Sequence, residues 1–260
     1  MPVKKVPKKY QPKGFEILYE DQDVIVGNKA PGFLSVAALW NRETTIHAAL
    51  NQYVRKGNPK SRKCVYVVHR LDQDTSGVLI FAKTEQAQNY LKDHWKSTVK
   101  NYYAIVHGWL PQKSGTLESY IYEDEQYIMH STPDSSKGKL ARTAYTVLKE
   151  TKKFSLIKIG LLTGKKNQIR VQFADVGHPV VGDGKYGKQR GAKGGCLALH
   201  SQSIAFNHPF TGKRLMFEAQ VPAYFGKFVD YAFDGAKRKD PRGYPEGSGD
   251  LRQIPRQQQS

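Results

Sequence analysis

Short apolar segments separated by turn-forming residues are the feature that most limits how this chain can fold. Such segments are typical of β-strands, and they outnumber the helical segments without alternating regularly with them. This order argues against a doubly wound fold and predicts an α+β fold with a largely antiparallel sheet. The predicted strands lie at residues 23–28, 65–69, 78–83, 102–107, 144–148, 154–162 and 197–206.

Three segments have the periodicity of amphipathic helices. Residues 45–56 place apolar side chains at helical spacing, and Gly57 supplies a typical stop. Thr84 can cap a second helix, whose apolar face would contain Ala87, Tyr90, Leu91 and Trp95. Residues 166–176 form the third, with a predicted stripe of Ile169, Phe173 and Val176. Arg170 lies about 100° from that stripe and is therefore free to face a cleft.

A polar loop between two predicted strands is the first candidate site. Residues 69–77 run His-Arg-Leu-Asp-Gln-Asp-Thr-Ser-Gly, with Arg70, Asp72 and Asp74 as charged side chains. A loop between two strands is a common place for a scaffold to present side chains to a ligand. The same residue types also form ordinary surface turns. Local chemistry alone leaves both interpretations open.

The charge of the chain favours a polyanionic partner. The formal net charge is +18; the first fourteen residues contain five lysines and no acid, and residues 227–260 carry a net +2, which leaves +11 on residues 15–226. A folded body this basic gains affinity for a polyanion through counterion release. Charge alone does not separate RNA from DNA or from an anionic membrane surface.

Several functional classes are disfavoured by the sequence. It has no run of about 18 apolar residues for a membrane span, and its N-terminus lacks the apolar core of a signal peptide. Cys64 and Cys196 do not have zinc-ligand spacing. Residues 182–188 fit GxxxxGK, but Gln189 stands where a P-loop needs Ser or Thr. We expect a cytoplasmic protein with reduced thiols, no metal site and no membrane partner.

The string HRLDxxTSG at residues 69–77 resembles the signature of the RluA-type pseudouridine synthases, which isomerise uridine to pseudouridine within RNA. Other blocks of this family are similar to further segments in the same order, over roughly residues 16–223. One of them departs from the family pattern LxTGRxHQIR, since Lys165 and Asn167 replace Arg and His while Gln168 and Arg170 match. The other similar segments are residues 17–32, 100–104, 177–187 and 199–209.

The resemblance implies a mixed, mostly antiparallel central sheet with flanking helices and a central RNA-binding cleft. It implies that residues 15–226 are a catalytic domain, between a flexible basic arm at 1–14 and a basic, largely disordered tail at 227–260. The partner would be RNA, as a stem-loop of ribosomal RNA or transfer RNA, and we expect a monomer. Breaking and re-forming the bond from ribose to uracil involves no redox step, so no cofactor is expected.

The resemblance also assigns roles to residues. Asp72 falls on the catalytic nucleophile of the family; attack at C1′, attack at C6 and removal of the 2′ proton all remain open. Arg70 falls on an arginine that enters the RNA stack when the target nucleotide is flipped out. Tyr102 would offer an aromatic face to the flipped uracil.

Three further residues complete the predicted site. Arg170 is the expected partner of Asp72, because a carboxylate kept ionised while partly buried needs a cation or several donors nearby. Lys100 resembles a site lysine of the family, although a solvated surface lysine fits its sequence context equally well. Leu199 would form an apolar wall of the pocket, or else belong to the core.

Lysine and arginine clusters flank these elements, and we expect several of their side chains to contact phosphates without reading sequence. The clusters are Lys137, Lys139 and Arg142; Lys152, Lys153, Lys158, Lys165 and Lys166; and Lys185, Lys188, Arg190 and Lys193.

Two alternative functions remain compatible with the residues. One is an RNA-binding protein that has this fold without catalysis. The other is a glycoside hydrolase using Asp72 and Asp74 as a carboxylate pair, which would have to flank a sugar at about 5–9.5 Å. The charge of +11 suits a neutral glycan poorly, and we expect Asp74 only to cap the loop.

Overall fold

The computed structural model describes residues 7–38, 44–187 and 196–233. Its helices are α1 (Ile46–Arg55), α2 (Glu85–Asp93) and α3 (Gln168–Asp175), with short 3₁₀ turns at Lys8–Tyr10, Trp95–Ser97 and Ala223–Lys227. Its strands are β1 (Phe15–Glu20), β2 (Val24–Lys29), β3 (Tyr66–Val67), β4 (Ser76–Ala82), β5 (Val99–His107), β6 (Ser114–Glu123), β7 (Met129–Thr132), β8 (Lys139–Glu150), β9 (Phe154–Leu161), β10 (Leu199–Asn207) and β11 (Arg214–Glu218).

The eleven strands of the described residues form one mixed sheet in the order β1-β2-β4-β10-β5-β9-β8-β6-β7, with β3 beside β4 and β11 beside β10. Every pairing in this sheet is antiparallel except that of β4 with β10, where His200 pairs with Ser76 and Ser201 with Gly77. This parallel pair joins β4, from the first part of the chain, to β10, from its last part, in the interior of the sheet. The predicted α+β class with a mostly antiparallel sheet is confirmed.

Both faces of the central strands are buried, because side chains that alternate along a strand point to opposite faces. Leu79 and Phe81 of β4 belong to the larger apolar cluster, together with residues of α1 and α3. Val78 and Ile80 belong to the second cluster, with Ala87 and Leu91 of α2. The long sheet therefore packs α1 and α3 on one face and α2 on the other.

The first two helices begin where the sequence predicts. Thr45 Oγ1 accepts a hydrogen bond from the amide of Ala48, and Thr84 Oγ1 accepts one from Ala87. Helix α3 differs from its prediction, because Val176 lies past its end and is 45% exposed. Its first six residues are all buried, including Gln168, Arg170 and Gln172. A helix packed on several sides has no single apolar stripe.

Packed residues continue beyond position 226, where the sequence predicted the domain to end. Val229 is buried, and Phe228, Tyr231 and Phe233 pack against the larger cluster. Residues 234–260 of the predicted tail and 1–6 of the predicted arm lie outside the described residues. None of the described helices is long and apolar enough to cross a bilayer.

Candidate active site

Buried side chains hold the loop that carries Asp72 in place. Lys29, which has no exposed surface, donates hydrogen bonds from Nζ to the carbonyl oxygens of Ala30 (2.9 Å), Phe33 (2.8 Å) and Gln73 (2.8 Å). Burial lowers the pKa of Lys29 to about 7, although the charges of Asp74 and Asp72 oppose that shift. These three contacts join the segment after β2 to the loop at Gln73, the residue after Asp72.

Three more hydrogen bonds hold the loop in place. Ser35 Oγ donates to the carbonyl of Leu71 at 2.7 Å and accepts from the amide of Leu71 at 3.0 Å. His69 Nε2 accepts a hydrogen bond from the amide of Ile80 in β4 at 3.1 Å, and burial lowers the pKa of His69 to about 3. We call the segment 69–75 with these anchors the loop wall.

Gly77 shows why the signature string ends in glycine. A Cβ atom at this position would lie 2.1 Å from the carbonyl oxygen of Ser201, and the backbone has φ +113°. That close approach is the parallel contact of β4 with β10, so no larger residue fits here.

Asp72 is partly exposed, and its carboxylate meets two donors from α3. Asn167 Nδ2 donates to Asp72 Oδ2 at 2.5 Å, and Arg170 Nη1 donates to the same oxygen at 3.0 Å. The Asp72 side chain is 23% exposed, which leaves the carboxylate accessible from the cavity. The predicted partnership of Asp72 with Arg170 is present in the structure.

Arg170 is oriented by a second carboxylate that the sequence interpretation missed. Asp183 has no exposed side-chain surface and binds Arg170 in a bidentate pair, with Nε to Oδ2 at 2.7 Å and Nη2 to Oδ1 at 2.8 Å. Burial alone would lower the pKa of Arg170, but Asp183 and then Asp72 raise it above its ordinary value. The same pair lowers the pKa of Asp183 against the effect of burial. The only sequence signal for Asp183 was its place in the segment GHPVVGD.

The wall opposite the loop is completed by side chains around the start of α3. Tyr186 Oη donates to Asn167 Oδ1 at 3.0 Å, and the Arg170 guanidinium lies 5.2 Å from the Tyr186 ring centroid. Gln168 Oε1 accepts from the Thr163 hydroxyl and the Lys165 amide, which fixes the turn before the helix. We call this group, made of Asn167, Arg170, Asp183 and Tyr186, the helix wall.

Between the two walls lies a cavity of about 360 Å³. Four positive side chains line it against two carboxylates, so the cavity favours an anionic ligand. Its lining residues are Arg70, Asp72, Gln73, Asp74, Lys166, Asn167, Arg170, Gly182, Gly184, Lys185 and Leu197.

The remaining predicted site residues take different positions. Arg70 is exposed at the cavity, and Tyr102 is buried near Asp72. Burial raises the pKa of Tyr102 to about 12, and the charge of Asp72 adds to that rise. Leu199 lies in the larger apolar cluster, because it starts the central strand β10; Leu197, before the strand, lines the cavity instead.

Lys100 is not among the residues that line this cavity. Its Nζ lies 5.3 Å from the Trp95 ring centroid, and burial lowers its pKa. A β-bulge between Ser201 and Ser203 of β10 changes the pairing register along β5, so Lys100 lies opposite Ile204 of the second apolar cluster.

Of the predicted phosphate-binding clusters, two members line the cavity. Lys185 Nζ donates to the carbonyl of Tyr127 at 3.1 Å, and Lys166 Nζ contacts the Glu123 carboxylate. These contacts tie the end of β6 and the turn after it to residues adjacent to the helix wall in the chain. Arg142 pairs with Glu118. Lys188, Arg190 and Lys193 lie outside the described residues.

One group of possible metal ligands occurs among the described residues, formed by Asp21, Asp23 and His208. His208 Nε2 contacts Asp21 Oδ2 at 2.8 Å, while its Nδ1 accepts from the amides of Phe210 and Thr211. Both ring nitrogens are therefore occupied by hydrogen bonds that join the β1–β2 and β10–β11 turns.

Comparison with known proteins identifies the family. The model of the RNA pseudouridylate synthase family matches residues 23–175, which include Asp72 and Arg170. The chain belongs to the RluA-type RNA pseudouridine synthase family. Its enzyme class, an isomerase, is thereby confirmed.

Similar proteins agree with this assignment. An uncharacterized RNA pseudouridine synthase of Mycoplasma pneumoniae, the MG209 homolog, is 38% identical over 87% of this chain and 74% of its own length. Ribosomal large subunit pseudouridine synthase D of Neisseria meningitidis serogroup A is 33% identical over 82% of this chain and 59% of its own length. The solved structure of human RNA Pseudouridylate Synthase Domain Containing 1 shares the fold, with a TM-score of 0.66 at 22% identity over 86% of this chain and 89% of the human chain.

Proposed function

We propose that this enzyme isomerises a specific uridine in structured RNA, with Asp72 acting as nucleophile or base on a flipped-out nucleotide. The observation that supports this most strongly is the Asp72 carboxylate at a positively lined cavity, with Arg170 and Asn167 both bonded to one of its oxygens. The guanidinium and the amide hold the carboxylate at the edge of the cavity, where it can act as a nucleophile or as a base.

The reaction can pass through Asp72 by three routes. Attack of the carboxylate on C1′ would release uracil from N1; attack of C5 on C1′ would then release the carboxylate. Attack on C6 would form an ester bond to the base, which breaks again once C5 is bonded to C1′. Removal of the 2′ proton would eliminate uracil and leave a glycal, and the proton returns to C2′ as C5 adds to C1′. In each route the bond from C1′ to N1 breaks, the bond from C1′ to C5 forms, C5 loses a proton and N1 gains one. The balance needs no oxidant, reductant or group donor.

The walls of the cavity suit a flipped nucleotide. Extrusion of a base costs a few kcal/mol, and an arginine that occupies the vacated stack offsets part of that cost. We assign this role to Arg70, which is exposed at the cavity. We assign the stacking of the flipped uracil to Tyr102, which is buried near Asp72 and is not among the residues that line the cavity; stacking on an aromatic ring contributes about 1–3 kcal/mol per base. Lys100 and Leu199 act in this proposal through the strands that position Tyr102.

The partner we propose is a stem-loop of ribosomal RNA, 23S rRNA included, or of transfer RNA. The name of the Neisseria relative, a large subunit pseudouridine synthase, supports the ribosomal choice. Lys166 and Lys185 at the cavity would bind phosphates on either side of the target. We further propose that residues 15–226, extended by the packed segment to Phe233, act as a monomeric catalytic domain in the cytoplasm.

The decisive experiment measures tritium release from RNA labelled at C5 of uridine. Asp72→Ala should abolish release while RNA affinity stays within a few-fold, because the carboxylate acts on the target nucleoside and does not bind phosphate. The control Asp93→Ala, which removes an exposed carboxylate at the end of α2, should leave both unchanged. Normal release by the Asp72→Ala protein would overturn the proposal.

Two further results separate the alternatives. Asp74→Ala should keep tritium release within a few-fold, whereas a carboxylate-pair hydrolase would lose activity and would yield free uracil without pseudouridine. An RNA-binding protein without catalysis would show no release from any RNA. Mapping pseudouridines in total cellular RNA with and without the gene identifies the target uridine.

A further inference from the structure

The side chain of Asn167 connects the helix wall to the loop wall through hydrogen bonds. It is the residue before α3, in the left-handed backbone region at φ +52°. Its Nδ2 lies 2.5 Å from Asp72 Oδ2, and its Oδ1 lies 3.0 Å from the Tyr186 hydroxyl. A residue with both a donor and an acceptor is therefore placed between a carboxylate and a phenol.

The orientation of this amide is determined by its neighbours. The Tyr186 hydroxyl accepts a hydrogen bond from the amide of Met129 in β7 at 3.2 Å, so its own proton is directed to Asn167 Oδ1. Burial raises the pKa of Tyr186, which keeps that proton in place. An ionised carboxylate only accepts, so the Nδ2 group is the end that must face Asp72.

Both hydrogen bonds that the described residues make to the Asp72 carboxylate end on Oδ2. One comes from Asn167 and the other from Arg170, and none among them ends on Oδ1. Two donors on one oxygen fix the rotation of the carboxylate about its χ2 axis. Among the described residues, Oδ1 is therefore the carboxylate oxygen that accepts no hydrogen bond from the helix wall.

We propose that Asn167, held by Tyr186, is a positioning residue that presents Asp72 Oδ1 to the substrate. This inference rests on the proposed function of Asp72 and adds a residue to it. Because a side-chain amide does not titrate in the working range, Asn167 donates to Asp72 at every pH at which the enzyme is folded. A histidine at the same place would donate or accept according to its protonation state.

The first test deletes the side chain without straining the backbone. Asn167→Gly suits a left-handed position, since glycine adopts φ > 0 without steric cost. We expect kcat for pseudouridine formation to fall about 10–100-fold with KM within two-fold, because misplacement by about 1 Å can cost about 100-fold in rate. A kcat within two-fold of the unmodified enzyme would overturn the proposal.

The second test uses a residue of the same shape. Asn167→Asp keeps the bond from Tyr186 but turns a carboxylate oxygen toward Asp72. We expect a lower kcat than for Asn167→Gly at pH 8, with part of the loss regained as the pH falls and the two carboxylates share a proton. If Asn167 had only a packing role, the isosteric aspartate would be the better tolerated variant, and that ranking would contradict the proposal.

The third test removes the hydroxyl that orients the amide. Tyr186→Phe should reduce kcat about 3–10-fold, since the Asn167 amide is then free to turn. The double variant Tyr186→Phe/Asn167→Gly should be no slower than Asn167→Gly alone, because both changes act on the same contact. Multiplicative losses in the double variant would show that Tyr186 acts independently of Asn167.

An NMR measurement tests the positioning without any activity. The Nδ2 protons of Asn167 should exchange slowly in the unmodified protein, and at least tenfold faster in Asp72→Ala and in Tyr186→Phe. Equal exchange rates in all three proteins would overturn the inference. If no RNA is modified by the unmodified enzyme, the proposed function fails, and this measurement still decides the hydrogen-bond arrangement around Asp72.

Discussion

The two walls around Asp72 are built by different kinds of interaction. In the loop wall, side chains bind backbone groups, as the buried Lys29 and Ser35 and the partly buried His69 do. In the helix wall, side chains bind other side chains, as in the ion pairs of Arg170 with Asp183 and Asp72. The loop wall therefore fixes where the Asp72 backbone lies, and the helix wall fixes the direction and charge of its carboxylate.

The largest expected effect comes from breaking the helix wall. Arg170→Met leaves Asp183 buried without its cation, which costs about 3–5 kcal/mol of unfolding free energy. The same substitution at Arg70, exposed on the other side of the cavity, should change stability by no more than about 0.5 kcal/mol. Urea unfolding of both variants measures the difference. Similar midpoints for the two proteins would show that the Arg170–Asp183 pair contributes nothing to the fold.

The stability of the loop wall should depend nearly as strongly on the buried amino group of Lys29. Lys29→Met leaves three carbonyl acceptors without their donor, and we expect a loss of about 2–4 kcal/mol. Since the pKa of Lys29 is lowered from its unfolded value of 10.5 to about 7, the unfolded chain binds more protons between these values. The stability of the unmodified protein relative to the variant should thus rise with pH above 7, by about 1 kcal/mol per unit. A difference that is constant from pH 7 to 9 would contradict the burial of this amine.

The strand pair that follows the loop wall should lose stability at a higher pH than the helix wall. His200 Nδ1 in β10 contacts the hydroxyl of Ser76, the first residue of β4, its Nε2 contacts the carbonyl of Ala219, and burial lowers the pKa of His200 to about 4. Stability from this histidine is complete above pH 6.5 and falls by roughly 3 kcal/mol as the pH drops to 4. The pKa of Asp183 is lowered below 3.8, so the helix wall loses its contribution only at still lower pH.

Unfolding curves between pH 7 and 4 test this order. In His200→Gln, the free energy of unfolding should decline less between pH 7 and 4. Asp183→Asn should lower the free energy of unfolding at every pH without removing that decline. An unchanged slope in His200→Gln would exclude His200 as a source of acid sensitivity.

The smallest expected effect concerns the outer lysines. Lys166→Gln and Lys185→Gln should each reduce the slope of log affinity against log salt for RNA by about 0.7–1, with the fold unchanged. Lys92→Gln, at an exposed position of α2, serves as the matched control and should leave the slope unaltered. Identical slopes for all three variants would remove Lys166 and Lys185 from the RNA interface.

Local pattern predicted much of the fold correctly. The caps at Thr45 and Thr84, and most strands, follow from side-chain periodicity and from turn residues, which act over a few positions. Helix α3 was located but its apolar stripe was misjudged at Val176, since burial there depends on neighbours from β6, β7 and β8. The packing of Val229 was missed for the same reason.

The candidate site shows the same difference between features that local sequence predicts and features that depend on remote contacts. Asp72, Arg70 and the glycine at 77 lie in one continuous string, so their types and spacing were visible directly. The signal for Asp183 was weaker: it lies in a segment similar to a family block, but an acid after a glycine also resembles any turn. Its role appears only through its bidentate contact with Arg170.

By itself, the sequence determined the strand-rich class, the basic character and the loop that carries Asp72, because these depend on residues adjacent in the chain. Only the tertiary structure decided which side chains meet that carboxylate: Asn167 and Arg170 lie 95 and 98 positions away. They reach it because β4 and β10 pair in parallel. Only a glycine at position 77 leaves room for this close approach. Contacts between remote segments depend on how the whole chain packs, so no local sequence pattern predicts them.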